Sequence, residues 1–129
     1  MGMKEAILLL AVVALAESSF AQPDETCEGT TYDTSMCFLR ILKGIEAELN
    51  STYRLALNSV RRSYTARDMQ NLRTAERRWI AYRDAACNAE YGLWGRGTGG
   101  PPTHTICLIR IDKQRIADLK EAYLLEDSK

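Results

Sequence analysis

Three groups of residues have the types and spacings that chemistry requires. Four cysteines can form disulfides or hold a metal ion: Cys27, Cys37, Cys87 and Cys107. The only histidine, His104, stands close before the last of them. A second group is charged, with Glu76 and Arg83 on either side of Trp79 at helical spacing. The third group lies in and beside a glycine-rich stretch and comprises Tyr91, Trp94 and Arg96.

These residues do not form a catalytic set. Glycoside hydrolysis needs two carboxylates on either side of a cleft, and nucleophilic hydrolysis needs a nucleophile beside a positioned base. No serine or cysteine motif surrounds His104. We therefore predict that the protein is not an enzyme and that it binds no cofactor.

The N-terminus predicts export. An unbroken apolar run from Ala6 to Ala16 follows Lys4, and Ser19-Phe20-Ala21 supplies small residues at the −3 and −1 positions of a cleavage site. The run is too short to span a bilayer. Since Cys27 follows acidic residues, we expect no lipid attachment. We predict a signal peptide over residues 1–21 and a periplasmic or secreted domain over residues 22–129.

In an oxidising compartment four cysteines predict two disulfides, with three possible pairings. If the first two helices form an antiparallel hairpin turning near residues 63–66, Cys37 and Cys87 lie at the same end. This favours Cys37–Cys87 and leaves Cys27 with Cys107. Pairing of neighbours in the sequence is the main alternative. A zinc site of Cys87, His104 and Cys107 matches no common structural pattern, so we predict no metal.

Three helical segments must position these groups, which predicts an all-α, disulfide-stapled domain: a long antiparallel hairpin plus a third helix. The first segment, capped by Asp33 or Thr34, runs to about Arg62, and the third runs from Thr103 or Thr105 to about Leu125. Apolar residues of the first recur every three or four positions: Phe38, Leu42, Ile45, Leu49, Tyr53, Ala56 and Val60. The five glycines and two prolines of residues 92–103 exclude regular structure and predict a loop.

The core-directed faces of the second and third helices contain charges. Asp112 stands in the apolar stripe of the third helix and is expected to meet Arg83, giving a Glu76–Arg83–Asp112 cluster beside Trp79. Two neighbours complete this predicted structural polar cluster, Asp84 and Arg115. Such a cluster fixes how the second and third helices align against each other, and it does not indicate a catalytic function. The alternative is that the charges reach solvent at the edge of the packing face.

The predicted loop is the best candidate for a contact surface, because Trp, Tyr and Arg dominate interface energetics. The alternative is that Trp94 folds back over the helix ends. The G-x-G-x-x-G match at Gly95, Gly97 and Gly100 predicts no dinucleotide site, since no strand precedes it. Basic and acidic side chains balance at 17 each, which disfavours a nucleic-acid partner, and apolar faces turned to the core disfavour stable membrane insertion.

The motif Trp79-Ile80-x-Tyr82-Arg83-Asp84-Ala85-x-Cys87 resembles the W-x-x-[FY]-R-D-x-x-C signature of the LprI-type lysozyme-inhibitor domain family of small secreted bacterial proteins. The likeness covers about residues 27–123. Further matching pieces are Met36-Cys37, Glu48-Leu49-Asn50-x-x-Tyr53, Gly99-Gly100, Cys107 and Gln114-Arg115-x-x-x-Leu119.

The resemblance implies a protein that binds a lysozyme-like muramidase and blocks its cleft. In that role Arg96 would be the donor that meets the catalytic carboxylates, with Trp94 and Tyr91 as anchors. We also expect the protein to be a monomer. An inhibitor of a strongly basic lysozyme would be expected to be acidic, whereas this chain has balanced charge. The alternative is an exported helical module that docks onto another envelope component.

Overall fold

The computed structural model describes residues 26–95 and 97–124. There the chain forms three α-helices, α1 (Thr31–Ser63), α2 (Ala66–Gly92) and α3 (Gly100–Tyr123), and no strand. This confirms the predicted all-α fold with two disulfides. None of the described helices has an apolar stretch long enough to cross a membrane. The predicted signal peptide, residues 1–21, lies outside the described residues.

Two identical capping boxes start α1 and α2. The Thr30 hydroxyl accepts a hydrogen bond from the Asp33 backbone N–H at 3.2 Å, and the Asp33 carboxylate accepts one from the Thr30 N–H at 3.1 Å. Thr65 and Asp68 repeat the arrangement at α2. Each box satisfies backbone donors that the first helical turn leaves open. The predicted cap at Asp33 or Thr34 is therefore wrong, because Asp33 is the third helical residue and Thr30 is the cap.

The third helix begins earlier than predicted. Its first residue is Gly100, and Pro101 and Pro102 occupy the first turn. Proline is tolerated there because the first-turn N–H groups have no partner within the helix, and the fixed φ of proline suits a helix. The two prolines thus start the helix instead of excluding it.

The helices run up, down and up. The turn at Tyr64 and Thr65 makes α2 antiparallel to α1. Glu76 of α2 pairs with Arg115 of α3, whereas Cys87, which comes later in α2, bonds to Cys107, which comes earlier in α3. The third helix is therefore antiparallel to α2. The α1–α3 contact is the most extensive and the α1–α2 contact the smallest. The third helix is therefore the main packing partner of both others.

Two apolar clusters form the core. The larger is built from all three helices and contains Ile45, Leu49, Ala56, Val60, Leu72, Ile116 and Leu119. The smaller joins the Cys87–Cys107 disulfide to Ile111. Trp79 packs against both clusters and links them. In the predicted stripe of α1, five residues are buried, and Phe38 and Tyr53 are half-buried.

The disulfides join neighbours in the sequence, so the favoured pairing of Cys37 with Cys87 and of Cys27 with Cys107 is wrong. Cys27 bonds to Cys37 and Cys87 to Cys107, each with 5.6 Å between Cα atoms. The hairpin argument failed because α2 turns its buried face mainly toward α3. Cys37 bonds instead to Cys27, which lies in the segment that precedes α1. Each bridge is expected to stabilise the fold by roughly 3 kcal/mol.

Candidate functional site

The loop after α2 is a series of tight turns. Backbone N–H groups of Leu93, Trp94 and Gly95 each bond to the carbonyl three residues back, at 3.1 to 3.3 Å. Gly95 has φ +57°, in the left-handed region that glycine occupies without strain. The chain then enters α3 at Gly100. This short, folded connection brings the C-terminal end of α2 next to the N-terminal end of α3.

Two aromatic rings of this loop lie directly on glycine backbone. A Cβ atom on Gly100 would stand 2.7 Å from Tyr91 Cε2, and one on Gly99 would stand 3.0 Å from Trp94 Cε3. Any larger residue at either position would displace its ring. The glycines therefore fix where the predicted contact residues Tyr91 and Trp94 lie.

The same rings remain open to solvent. Trp94 is 54% exposed, Tyr91 40% and the neighbouring Leu93 87%. Trp94 thus packs against the start of α3 and still presents half of its surface. Its role as a contact residue stays a prediction. Arg96, the third predicted contact residue, lies outside the described residues.

A cleft of about 390 Å³ opens beside Tyr91, between the ends of all three helices. Its polar groups come from Ser35, Asn88, His104 and Thr105. Leu39, Tyr91 and Pro101 supply its apolar walls. The His104 and Tyr91 rings pack edge to face with centroids 5.9 Å apart. The cleft and the exposed rings form one surface, which we call the loop face: Leu39, Asn88, Tyr91, Leu93, Trp94 and His104.

Both disulfides brace this surface. Cys37 stands between Ser35 and Leu39 on α1, and Cys87 directly precedes Asn88 on α2. Cys107 lies on the first turns of α3, and its bridge to Cys87 is fully buried. Each wall of the cleft is therefore anchored by a covalent cross-link within a few residues.

A ladder of ion pairs holds α2 against α3. Arg83 Nη1 donates to Asp112 Oδ1 at 3.1 Å, and Arg83 Nη2 lies 2.8 Å from Asp84 Oδ1. Farther along, Arg115 Nη2 donates to Glu76 Oε2 at 2.7 Å. The structure thus brings together Arg83 and Asp112, which the sequence placed on facing stripes.

Glu76 does not pair with Arg83 as expected. Seven residues, two helical turns or about 10 Å, separate them along α2. Trp79 lies between, with the guanidinium carbons of Arg83 and Arg115 at 5.5 and 5.6 Å from its ring. The indole is therefore flanked by two arginines, each neutralised by a carboxylate.

Burial sets the electrostatics of the ladder. Asp112 is completely buried, which raises the pKa of its carboxyl, and Arg83 opposes that shift in part. Burial alone would lower the pKa of Arg83, but its hydrogen bonds to Asp84 and Asp112 outweigh burial and raise it. Every buried side-chain N or O atom in the described residues has a hydrogen-bond partner. The buried atoms of the ladder are thus all satisfied within the protein.

The structure offers no support for the zinc alternative. Cys87 and Cys107 are bonded to each other, so neither has a thiolate for a metal. His104 faces the cleft and Tyr91. Among residues 26–95 and 97–124 no cluster of His, Cys, Asp and Glu has the geometry to hold a metal ion.

Sequence reasoning did not find the cleft. Leu39 lies outside the apolar stripe of α1, Asn88 belongs to no motif, and His104 was considered only as a metal ligand or a catalytic base. The one available signal for the cleft was Leu39, an apolar residue close to Cys37 that does not lie on the buried face of α1. Only the packing of three helix ends turns these separate residues into one surface.

Comparisons with known proteins identify one family and one similar protein. The family described as "Lysozyme inhibitor LprI" matches residues 22–119. An uncharacterised protein of Rhizobium meliloti (strain 1021) is 32% identical over 125 residues, which cover 88% of each chain. No solved structure matches.

Proposed function

The chain belongs to the lysozyme inhibitor LprI family, and from this membership we propose that it binds a lysozyme-like muramidase and blocks the substrate cleft of that enzyme. The observation that carries the proposal is the loop face. It joins exposed aromatic rings to a cleft at one end of the bundle. Interfaces derive most of their binding energy from a few such aromatic and arginine anchors.

A disulfide and close ring–glycine contacts hold the loop face in place. The glycines seat the rings of Tyr91 and Trp94, and the Cys87–Cys107 bridge fixes the helix ends that carry the loop. Binding then orders few additional groups, and a surface ordered in advance loses less free energy on association. This suits an inhibitor, which must compete with substrate for the enzyme cleft.

The uneven distribution of charge along the chain limits where a basic partner can bind. Residues 54–78 carry seven arginines against Asp68 and Glu76, a net charge of +5. The rest of residues 22–129 carries nine basic and thirteen acidic side chains, a net charge of −4. A strongly basic lysozyme is therefore repelled most by residues 54–78, which include none of the residues of the loop face. The balanced total charge does not argue against an inhibitor.

We assign the blocking contact to Arg96, between Gly95 and Gly97 in the sequence. A muramidase hydrolyses its glycosidic bond with a pair of carboxylates, and a guanidinium is a strong bidentate donor to a carboxylate. Trp94 and Tyr91 would anchor the loop beside it. In this mechanism the protein performs no catalysis and needs no cofactor.

The test is lysis of a peptidoglycan suspension by chicken-type lysozyme, with and without oxidised protein comprising residues 22–129. We expect inhibition, and we expect Trp94→Ala and Arg96→Ala each to weaken it about thirtyfold, the loss typical of an interface hot spot. Tyr82→Ala is the matched control, because Tyr82 is an aromatic residue with 63% exposure on α2 outside the loop face. It should inhibit like the wild type.

Two results would contradict the proposal. Absence of inhibition at a large molar excess would exclude this target and favour the alternative, an envelope docking module whose partner must be sought by pull-down from envelope extract. Inhibition that survives both loop substitutions but falls with Tyr82→Ala would place the binding surface on the outer face of α2.

A further inference from the structure

The α1–α2 turn forms the opposite end of the bundle, and its surface is strongly basic. We call residues 61–67 the hairpin tip, and every one of them is exposed. Three arginines flank the turn, Arg61, Arg62 and Arg67. Tyr64 projects between them with 63% exposure. The tip therefore combines positive charge with one amphipathic ring.

Arginines continue away from the tip along both helices. Arg54 lies seven residues before Arg61, on the same outer face of α1, because seven residues make almost two full turns. Arg73, Arg77 and Arg78 follow on α2, and all are exposed. The net charge of +5 over residues 54–78 is thus concentrated in the last turns before and the first turns after the hairpin.

The two acidic residues of this segment are engaged elsewhere. Asp68 closes the capping box with Thr65, and those hydrogen bonds lower the pKa of its carboxyl. Glu76 pairs with Arg115 across the α2–α3 interface. Within the described part of the chain, five of the arginines make no ion pair: Arg54, Arg61, Arg67, Arg73 and Arg78. Their charge is directed to solvent.

We propose that the hairpin tip docks on the anionic headgroups of a phospholipid bilayer. Clusters of four to eight basic residues bind such surfaces, and tyrosine favours the headgroup level. The tip is a turn between two helix ends at which every residue is exposed, and its arginines lie on both helices. Such an arrangement suits a planar field of phosphates more than a groove or a pocket. The predicted export of the chain also leaves nucleic acid a poor occupant.

Docking at the tip sets the orientation of the molecule. The second helix has 27 residues, so the loop face stands about 40 Å from the bilayer and points away from it. A partner can then reach the loop face without meeting the membrane. The inference does not depend on muramidase binding, since it uses none of the residues of the loop face.

The experiment is co-sedimentation of oxidised residues 22–129 with phosphatidylcholine vesicles that do or do not contain about one third phosphatidylglycerol. We expect binding only to the anionic vesicles, and we expect it to fall steeply between about 0.05 M and about 0.5 M salt. Equal binding to both kinds of vesicle, or no binding to the anionic ones at low salt, would overturn the proposal.

Charge-reversal variants locate the surface. Arg61→Glu combined with Arg67→Glu should lower the partition coefficient at least about a hundredfold, since each unit charge near an anionic surface contributes about fivefold. Lys43→Glu combined with Lys113→Glu is the matched control. It changes net charge by the same amount at exposed sites about 20 to 30 Å from the tip. It should lower the partition coefficient less than about fivefold.

Two further readouts complete the test. Equal losses in both double variants would mean that total charge, and not the tip, drives binding, and would contradict the proposal. Retention on a double-stranded oligonucleotide but not on anionic vesicles would replace the membrane with a nucleic-acid partner. Because the peptidoglycan lysis assay contains no membrane, the tip variants should still inhibit there, so failure of one proposal is distinguishable from failure of the other.

Discussion

The two ends of this bundle are built by different means. The loop end carries both disulfides, two rings seated on glycine backbone and a cleft between helix ends. The hairpin tip has no cross-link and is held by the Thr65–Asp68 capping box, with arginines around it. One end is a rigid, largely uncharged surface and the other a concentrated charge. The first suits close contact with one protein, and the second suits long-range attraction to an extended anionic surface.

The comparison also shows why the charge of the whole chain misleads. A formal net charge of zero excludes a strong overall field, but it does not exclude +5 over residues 54–78 and −4 over the rest of residues 22–129. With a Debye length of about 8 Å at physiological salt, a partner at one end hardly senses the other. Partners should therefore be inferred from local charge.

The largest expected effect concerns the ladder that joins α2 to α3 on the loop-end side. Arg83→Met should lower the free energy of unfolding by about 3 kcal/mol, because it leaves the fully buried Asp112 without its cation. The control is Arg78→Met, an exposed arginine on the tip side of the same helix, which should change stability by less than about 0.5 kcal/mol. Urea denaturation at neutral pH measures both.

A double-mutant cycle with Asp112→Asn makes this prediction sharper. The two substitutions should couple by at least about 1 kcal/mol, since they remove one shared interaction. Additivity within about 0.5 kcal/mol would mean that the ion pair contributes nothing and that Arg83 acts through packing on Trp79 alone.

The next effect distinguishes the two bridges at the loop end. Replacing Cys87 and Cys107 by serine should cost roughly 3 kcal/mol. Replacing Cys27 and Cys37 should cost about 0.6 kcal/mol less, because that bridge closes a loop of 10 residues against 20. Urea denaturation of each pair of variants gives the difference, and a greater loss from the Cys27–Cys37 pair would contradict the expectation that loop length decides.

The smallest effect is a difference in pH dependence between the two ends. The Thr65 hydrogen bonds lower the pKa of Asp68 below its ordinary 3.8. The stability that the ionised Asp68 adds to the fold is therefore fully present above pH 3.8 and is lost as pH falls through the lowered pKa. Burial raises the pKa of Asp112. The stability that the protonated Asp112 adds to the fold is therefore fully present below pH 3.8 and is lost as pH rises through the raised pKa.

The two asparagine variants should therefore depart from the wild type in opposite directions. Asp112→Asn should lose stability more steeply than the wild type as pH falls from about 7 toward about 4. Asp68→Asn should lose it less steeply below about pH 4. Urea midpoints at constant ionic strength measure both, and parallel curves for the three proteins would show that neither carboxyl changes its pKa on folding.

Local patterns in the sequence predicted much of the fold. Apolar residues every three or four positions identified the buried face of α1, and the charged positions Arg83 and Asp112 fell on facing stripes because helical period alone places them there. The start of α3 and the cap of α1 were misplaced by a few residues. Those boundaries depend on which residues the first turn recruits as caps, which periodicity does not report.

The sequence by itself determined three helices, their buried faces, two disulfides and a glycine-rich connection between α2 and α3. Only the tertiary structure decided which helix each face meets. Because α2 packs mainly on α3, Cys87 bonds to Cys107 and Glu76 pairs with Arg115. The cleft of the loop face has the same origin, since it exists only where three helix ends converge. Periodicity is a property of one helix, whereas pairing depends on the angles and distances between helices, which no local pattern contains.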